Sequence, residues 1–176
     1  MMIGVVGTIG SGKGVVCRYL KEKYRFRVVT MSNILRALAR KNKIRISRES
    51  LQRIQDKYHE KYGLDYLINL AIKKIKKSKN AAIDGIRTPT QVQVAKKAGA
   101  KIIFVDAKPE IRFERLKERR RKGFPKTLKE FKKDEINEWR HFNFKKTFSY
   151  ADFKINNDGN EKQLFAQVDK IIKTLS

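Results

Sequence analysis

Gly7-Thr8-Ile9-Gly10-Ser11-Gly12-Lys13-Gly14 follows directly on the apolar run Met2-Ile3-Gly4-Val5-Val6 and precedes a helical pattern. Strand, glycine-rich loop and helix in that order make a phosphate-binding P-loop. Gly7, Gly10 and Gly12 let the backbone turn tightly enough to aim several N–H groups at one anion. The helix that follows adds its positive N-terminal end, and Lys13 can reach the terminal phosphates of a nucleoside triphosphate. A dinucleotide fingerprint is excluded, because Val15 stands where its third glycine belongs. The candidate ATP-binding segment is therefore Gly7, Thr8, Ile9, Gly10, Ser11, Gly12, Lys13, Gly14 and Val15. Gly14 departs from the common form, in which Ser or Thr offers a hydroxyl to Mg²⁺ at that position.

The 176 residues fit one domain with a substantial core. The N-terminal apolar stretch is too short for a secretory signal and runs straight into the loop. No segment approaches the roughly 20 apolar residues that span a membrane. The single cysteine, Cys17, excludes an internal disulfide, and its place one turn after Lys13 and before Leu20 predicts burial on a helix face. A cytoplasmic protein is expected.

The formal net charge of +25 is concentrated in two blocks. Residues 18–79 carry 19 basic and 5 acidic side chains, and residues 108–146 carry 15 basic and 7 acidic. Most of these lysines read as solvated helix faces, as at Lys73, Lys74, Lys76, Lys77 and Lys79. A few arginines read as phosphate contacts, and a nucleic-acid partner is compatible with the charge without being established by it.

Strands alternate with helical patterns along the chain. After a helix over about 13–23 come the short strand Arg27-Val28-Val29 and a helix over 33–42 with Ser32 as its cap. Further helices start at Ser47 and around Leu67. Ala81-Ala82-Ile83-Asp84 reads as a buried strand ending in a carboxylate, followed by a helix over 89–98. Next come strand Lys101-Ile102-Ile103-Phe104-Val105, a helix opened by Pro109, and a charged stretch over 120–147 that Gly123 and Pro125 break before another helix. Asp152-Phe153-Lys154-Ile155 is a last strand, and Asn160 with Gln163 resembles a capping pair for a final helix. The expected fold is α/β: a three-layer α/β/α arrangement around a mostly parallel five-stranded sheet.

On these residues the chain resembles the nucleoside monophosphate kinase family over nearly its whole length. The loop at 7–14 looks like that of adenylate kinase, which also has glycine after the lysine. Thr30-Met31-Ser32-Asn33-Ile34-Leu35-Arg36 occupies the place of the acceptor-site segment that ends in a phosphate-binding arginine. Asp84-Gly85-Ile86-Arg87-Thr88-Pro89-Thr90-Gln91 resembles the Asp-Gly-Phe-Pro-Arg-Thr…Gln segment, one residue shorter. Arg112 to Lys122 is similar to the arginine-rich helix leading into the lid, and Asn156-Asn157-Asp158-Gly159 to the loop over the donor base. The likeness is strongest to small adenylate-kinase-related proteins that are also similar to dephospho-coenzyme A kinase, although Asn33 replaces their aspartate. The resemblance implies a P-loop kinase domain using ATP and Mg²⁺, with a core of 1–30, 80–107 and 148–176. It implies an acceptor-binding arm over about 31–79 and a lid region over about 115–147. It also adds Arg115, Asn157 and Gly159 to the ATP-binding set.

Residue chemistry points the same way. Phosphoryl transfer is catalysed mainly by positioning and cationic stabilisation of a spread negative charge. Lys13 supplies charge on the donor side, and Arg119, with Arg120 or Arg121, is placed to close over the moving phosphoryl group. Arg36 and Arg87, with Ser32 and Gln91 nearby, are candidates for the acceptor, since a guanidinium fork matches phosphate oxygens. Asp84, at the carboxyl end of a strand, is placed to hold Mg²⁺ directly or through water, with Ser11 as a second oxygen. The segment after the second strand offers no Asp or Glu as a base for a hydroxyl acceptor, which favours an acceptor that is already an anion. Asp56, Asp65 or Asp84 could still be brought near by folding. Three alternatives stand beside a nucleotide kinase: a dephospho-coenzyme A kinase-like enzyme, a nucleic-acid-associated P-loop ATPase, and a nucleotide-binding regulator without turnover. The specific acceptor and the oligomeric state are not encoded legibly.

Overall fold

The computed structural model describes residues 1–119 and 125–175. Its sheet comprises β1 (Met2–Val6), β2 (Arg27–Thr30), β3 (Ala81–Ile86), β4 (Ala100–Asp106) and β5 (Phe153–Asn156). They lie in the order β2-β3-β1-β4-β5, and every neighbouring pair is parallel. β1 is central, with β3 on one side and β4 on the other. That reversal of direction opens a crevice beyond the carboxyl end of β1, where ligands bind in open parallel sheets.

Period-two alternation sorts the strand residues onto two covered faces. Ile3, Val5, Ala82, Ile103, Val105 and Ile155 meet α1 (Lys13–Tyr24) and α9 (Glu161–Leu175). Val6, Ile83 and Ile102 face the opposite layer, which contains α2 (Met31–Lys41), α3 (Arg48–Tyr62), α4 (Tyr66–Ile75) and α5 (Pro89–Lys97). The expected three-layer α/β/α P-loop kinase fold is present, with a wholly parallel sheet among the described strands.

Local signals explain several boundaries. Ser47 caps α3 in a reciprocal box with Ser50, which satisfies two otherwise unpaired backbone donors. Asn160 and Gln163 exchange the same pair of bonds ahead of α9. Pro109 opens α6 (Pro109–Glu118). Two expectations are corrected. Helix α2 starts at Met31 behind Thr30, so Ser32 lies within its first turn and is not the cap. The helix expected after the lid is two, α7 (Leu128–Phe142) and α8 (Phe144–Ser149), separated at Asn143. Asn143 adopts a left-handed conformation with φ +49°, which asparagine tolerates better than most residues.

Phe142, Phe144 and Phe148 are buried in the layer with α2–α5, and Trp139 packs edge-on against Phe144 and Phe148. The aromatic residues after the lid thus serve as packing anchors. Cys17 is buried, as its helical position predicts. No helix among the described residues is long and apolar enough to cross a membrane.

Candidate active site

The loop between β1 and α1 forms a cradle closed in by its neighbours. Gly12 caps α1 with φ +101°. A Cβ there would lie 2.1 Å from Asn157 Nδ2, so glycine is required by conformation and by space. Asn157 is buried and donates from Nδ2 to Ser11 O at 2.8 Å, while its own N–H is held by Asp106 O. The residue expected over the donor base therefore buttresses the P-loop itself. Gly14 differs, because a Cβ added there meets nothing within 4 Å.

Several observations fit this cradle to a polyphosphate. The N–H groups of Lys13 and Gly14 have no backbone acceptor among the described residues. Ser11 is fully buried, and its Oγ has no hydrogen-bond partner among them. A buried hydroxyl without a partner costs about 1–3 kcal/mol, which a bound oxygen would relieve. Lys13 Nζ folds back across the loop and donates to Thr8 O at 2.7 Å. Burial lowers the Lys13 pKa to about 8, against the opposing field of Asp84.

Asp84 is held at the crevice by sheet register. It pairs with Val5 of β1 on one side and Thr30 of β2 on the other. The β1–β3 register then slips, so that Val6 pairs with Ile86 and Gly85 is the extra residue of a bulge. Such bulges re-aim side chains beside active sites. Burial raises the Asp84 pKa, opposed by the fields of Lys13 and Arg87. No carboxylate occurs in sequence around Thr30–Asn33, yet the fold sets one beside Thr30. Local sequence around the acceptor segment therefore does not exclude a base there. Among the described residues no group of three or more His, Cys, Asp or Glu could hold a metal alone. A magnesium ion at Asp84 and Ser11 would thus depend on phosphate oxygens and water.

The acceptor candidates lie on the segments that follow β2 and β3. Arg36 on α2 donates from Nη1 to Ser32 Oγ and Asn33 Oδ1, both at 3.0 Å. Those partners are neutral, and no ion pair among the described residues meets the guanidinium charge. Arg87 follows β3, stacks over the Phe142 ring at 5.1 Å, and has Nη1 3.8 Å from Glu138 Oε1. Gln91 is only 2% exposed, and its Oε1 accepts the Arg87 N–H at 3.0 Å. It steadies the Arg87 backbone and leaves its amide oxygen already engaged.

Arg115 and Gly159, separated by 44 positions, are in contact, with Nη2 donating to Gly159 O at 3.4 Å. Arg115 Nη1 is buried without a hydrogen-bond partner among the described residues. Arg119 is exposed at the end of α6, and no hydrogen bond or ion pair joins it to the P-loop there. Arg120 and Arg121, the other catalytic candidates, lie outside the described residues.

Two residues outside the candidate set also stand at this site. Arg112 is 4% exposed, pairs with Glu135 of α7, and donates to Ala107 O and, at 3.4 Å, to P-loop Ile9 O. It is a buttress of the loop as well as part of α6. Glu138 of α7 adds a second carboxylate to the site, close enough for its field to act on Lys13. Neither pairing has a local sequence signal.

A family model described as an AAA domain matches residues 6–132. A UPF0200 protein of Sulfurisphaera tokodaii is 30% identical over 175 residues, covering 99% of this chain and 97% of the relative. Another, from Pyrococcus furiosus, is 31% identical over 183 residues, covering 99% and 97%. In three dimensions the chain is similar to shikimate kinase from Bacteroides thetaiotaomicron, with a TM-score of 0.66 at 16% identity, covering 99% of this chain and 98% of the other. At that identity the likeness is one of fold, and the fold is that of a P-loop kinase.

Proposed function

We propose, for a chain that belongs to the AAA-domain family and to the UPF0200 proteins, transfer of the γ-phosphoryl group of ATP to a nucleoside monophosphate or closely related nucleotide. The observation that carries this reading is the arrangement around Asp84. The P-loop follows β1 on one side of the Asp84 strand, α2 with Arg36 follows β2 on the other, and Arg87 lies just beyond the end of that strand. An acceptor phosphate oxygen would form the new bond to the γ-phosphorus as the bond to the β,γ-bridging oxygen breaks and ADP leaves. An anionic acceptor needs no proton removed, so Lys13 and the arginines act by positioning and by meeting negative charge. Mg²⁺, when bound, would neutralise phosphate charge, and Asp84 and Ser11 are the residues that would help to hold it. Residues 31–79 would serve as the acceptor-binding arm and 115–147 as the lid on the core of 1–30, 80–107 and 148–176. Arg119, Arg120 or Arg121 would close from that lid.

ADP release assayed with a panel of nucleoside monophosphates and dephospho-coenzyme A tests the reading. Turnover of a monophosphate is the expected result, and turnover of dephospho-coenzyme A alone would overturn it. That second reading is favoured by one observation, the burial-raised Asp84 carboxyl beside Thr30, which could accept a hydroxyl proton. ATPase activity stimulated by RNA or DNA at physiological salt would point instead to the nucleic-acid alternative.

The Lys13 pKa supplies a further expectation. Lys13 in the free protein loses its proton as pH rises through about 8, whereas a bound triphosphate favours the ammonium form and raises that pKa. Nucleotide binding should therefore take up about half a proton or more near pH 8.5 and almost none near pH 6.5. Apparent affinity should weaken as pH rises above 8. Titration calorimetry in buffers of different ionisation enthalpy measures the uptake, and equal heats near pH 8.5 would contradict it.

A further inference from the structure

Helix α7 presents two carboxylates one turn apart, Glu135 to Arg112 of α6 and Glu138 to Arg87 just after β3. The two pairs differ in kind. Arg112–Glu135 is close and enclosed, with side chains 5% and 12% exposed. Arg87–Glu138 is looser at 3.8 Å and open at its arginine end, with side chains 41% and 15% exposed. That distance lies beyond a hydrogen-bonded or bidentate contact, so it can be exchanged for a better one at little cost.

Arg87 is otherwise well placed. Phe142, one turn beyond Glu138 on α7, lies against its guanidinium, and the Thr147 hydroxyl of α8 donates to its carbonyl at 3.1 Å. Gln91 holds its N–H. Backbone and ring face are fixed by contacts that do not involve charge pairing. The guanidinium edge alone is met by an acid. Lys13, Asp84, Arg87 and Glu138 together carry two positive and two negative groups that act on one another.

We propose that Glu138 is the built-in stand-in for the acceptor anion. Its carboxylate faces Arg87 until a phosphate oxygen of the acceptor takes its place, and it thereby sets how tightly the site holds an anion. Glu135, on its enclosed partner, keeps α7 docked while Glu138 is displaced. Glu138 is thus a specificity-setting residue that charges any acceptor group the work of displacing it. This inference rests on the reading that Arg87 receives the acceptor phosphate.

Glu138→Gln tests it by removing the charge and keeping the shape. Inorganic phosphate is the probe, titrated by ³¹P NMR against the full-length protein, with circular dichroism and thermal unfolding to confirm folding. Phosphate should bind about three- to tenfold tighter than to wild type, as expected when a competing pair of this exposure is removed. The gain should vanish in the double variant Arg87→Gln/Glu138→Gln, and Glu138→Ala should reproduce it if the glutamine variant folds poorly. A structural role alone would give weaker binding or none. Phosphate affinity equal to or below wild type overturns the inference, as does a gain that survives loss of Arg87. Tighter phosphate binding without turnover of any panel acceptor would uphold Glu138 and sink the proposed reaction. Turnover with an acceptor KM unchanged in Glu138→Gln would do the reverse.

Discussion

Lys13→Ala should lower phosphoryl transfer by a factor on the order of 10²–10³, the usual effect of removing one preorganised donor from a developing charge. The protein should stay folded, with a melting temperature equal to or slightly above wild type. Lys13 is the first residue of α1, where a cation opposes the positive end of the helix. Its burial also disfavours the ammonium form, as the lowered pKa shows. Alanine removes both costs, against the loss of the bond to Thr8 O and of the attraction to Asp84 and Glu138, which burial outweighs. The side chain is thus kept at the expense of the empty fold and is justified only by the anion it meets. Steady-state rates and thermal unfolding of the purified variant check both halves. Full activity would reject the P-loop as the donor site.

Gly7→Ala should act through the fold. The residue has φ +147°, and a Cβ there would lie 2.3 Å from Val105 O and 2.8 Å from Ser11 Oγ. Val105 belongs to β4, whose backbone is tied into the sheet between β1 and β5, so the nearer clash cannot be relieved by a rotamer change. Backbone strain and overpacking of this kind cost about 2–4 kcal/mol. For a chain of this size that lowers the melting temperature by about 5–15 °C. ATP affinity should fall with it, because the displaced loop carries the donors. Gly14→Ala is the control, since nothing lies near its added carbon. A melting temperature within about 2 °C of wild type for Gly7→Ala would contradict this account.

The parts of the molecule legible in the sequence are those whose causes are local. The P-loop, the serine cap of α3 and the proline opening α6 each occupy a few consecutive residues, whereas the strand expected to end at Asp84 runs on through a bulge to Ile86. The Ser32 cap was misplaced because Thr30 and Ser32 are both suitable residues two positions apart, and the end of β2 decides between them. Asn157 on Ser11, Arg112 on Glu135 and Arg87 on Glu138 were not legible as contacts. Each joins segments separated by tens of residues. In a chain that is 35% charged, no single acid or base announces its partner. The carboxylate beside Thr30 illustrates the same limit, since a register between strands more than fifty positions apart puts it there.

The position of β1 in the sheet also bears on how the chain acquires its shape during synthesis. Its central strand comes first in sequence, but the neighbours that flank it begin at Ala81 and Ala100. At translation rates of about 5–20 residues per second, β1 waits roughly 4–20 seconds for both edges to be made. Pairings so distant along the chain also make folding slow relative to a helical bundle. Through that interval an apolar strand and the loop after it have no native support, and a chaperone or the ribosome surface has time to engage them. Val105 and Asn157, which brace the cradle, arrive later still. The phosphate site is therefore among the last features to mature, and nucleotide can stabilise the finished fold but cannot template its beginning.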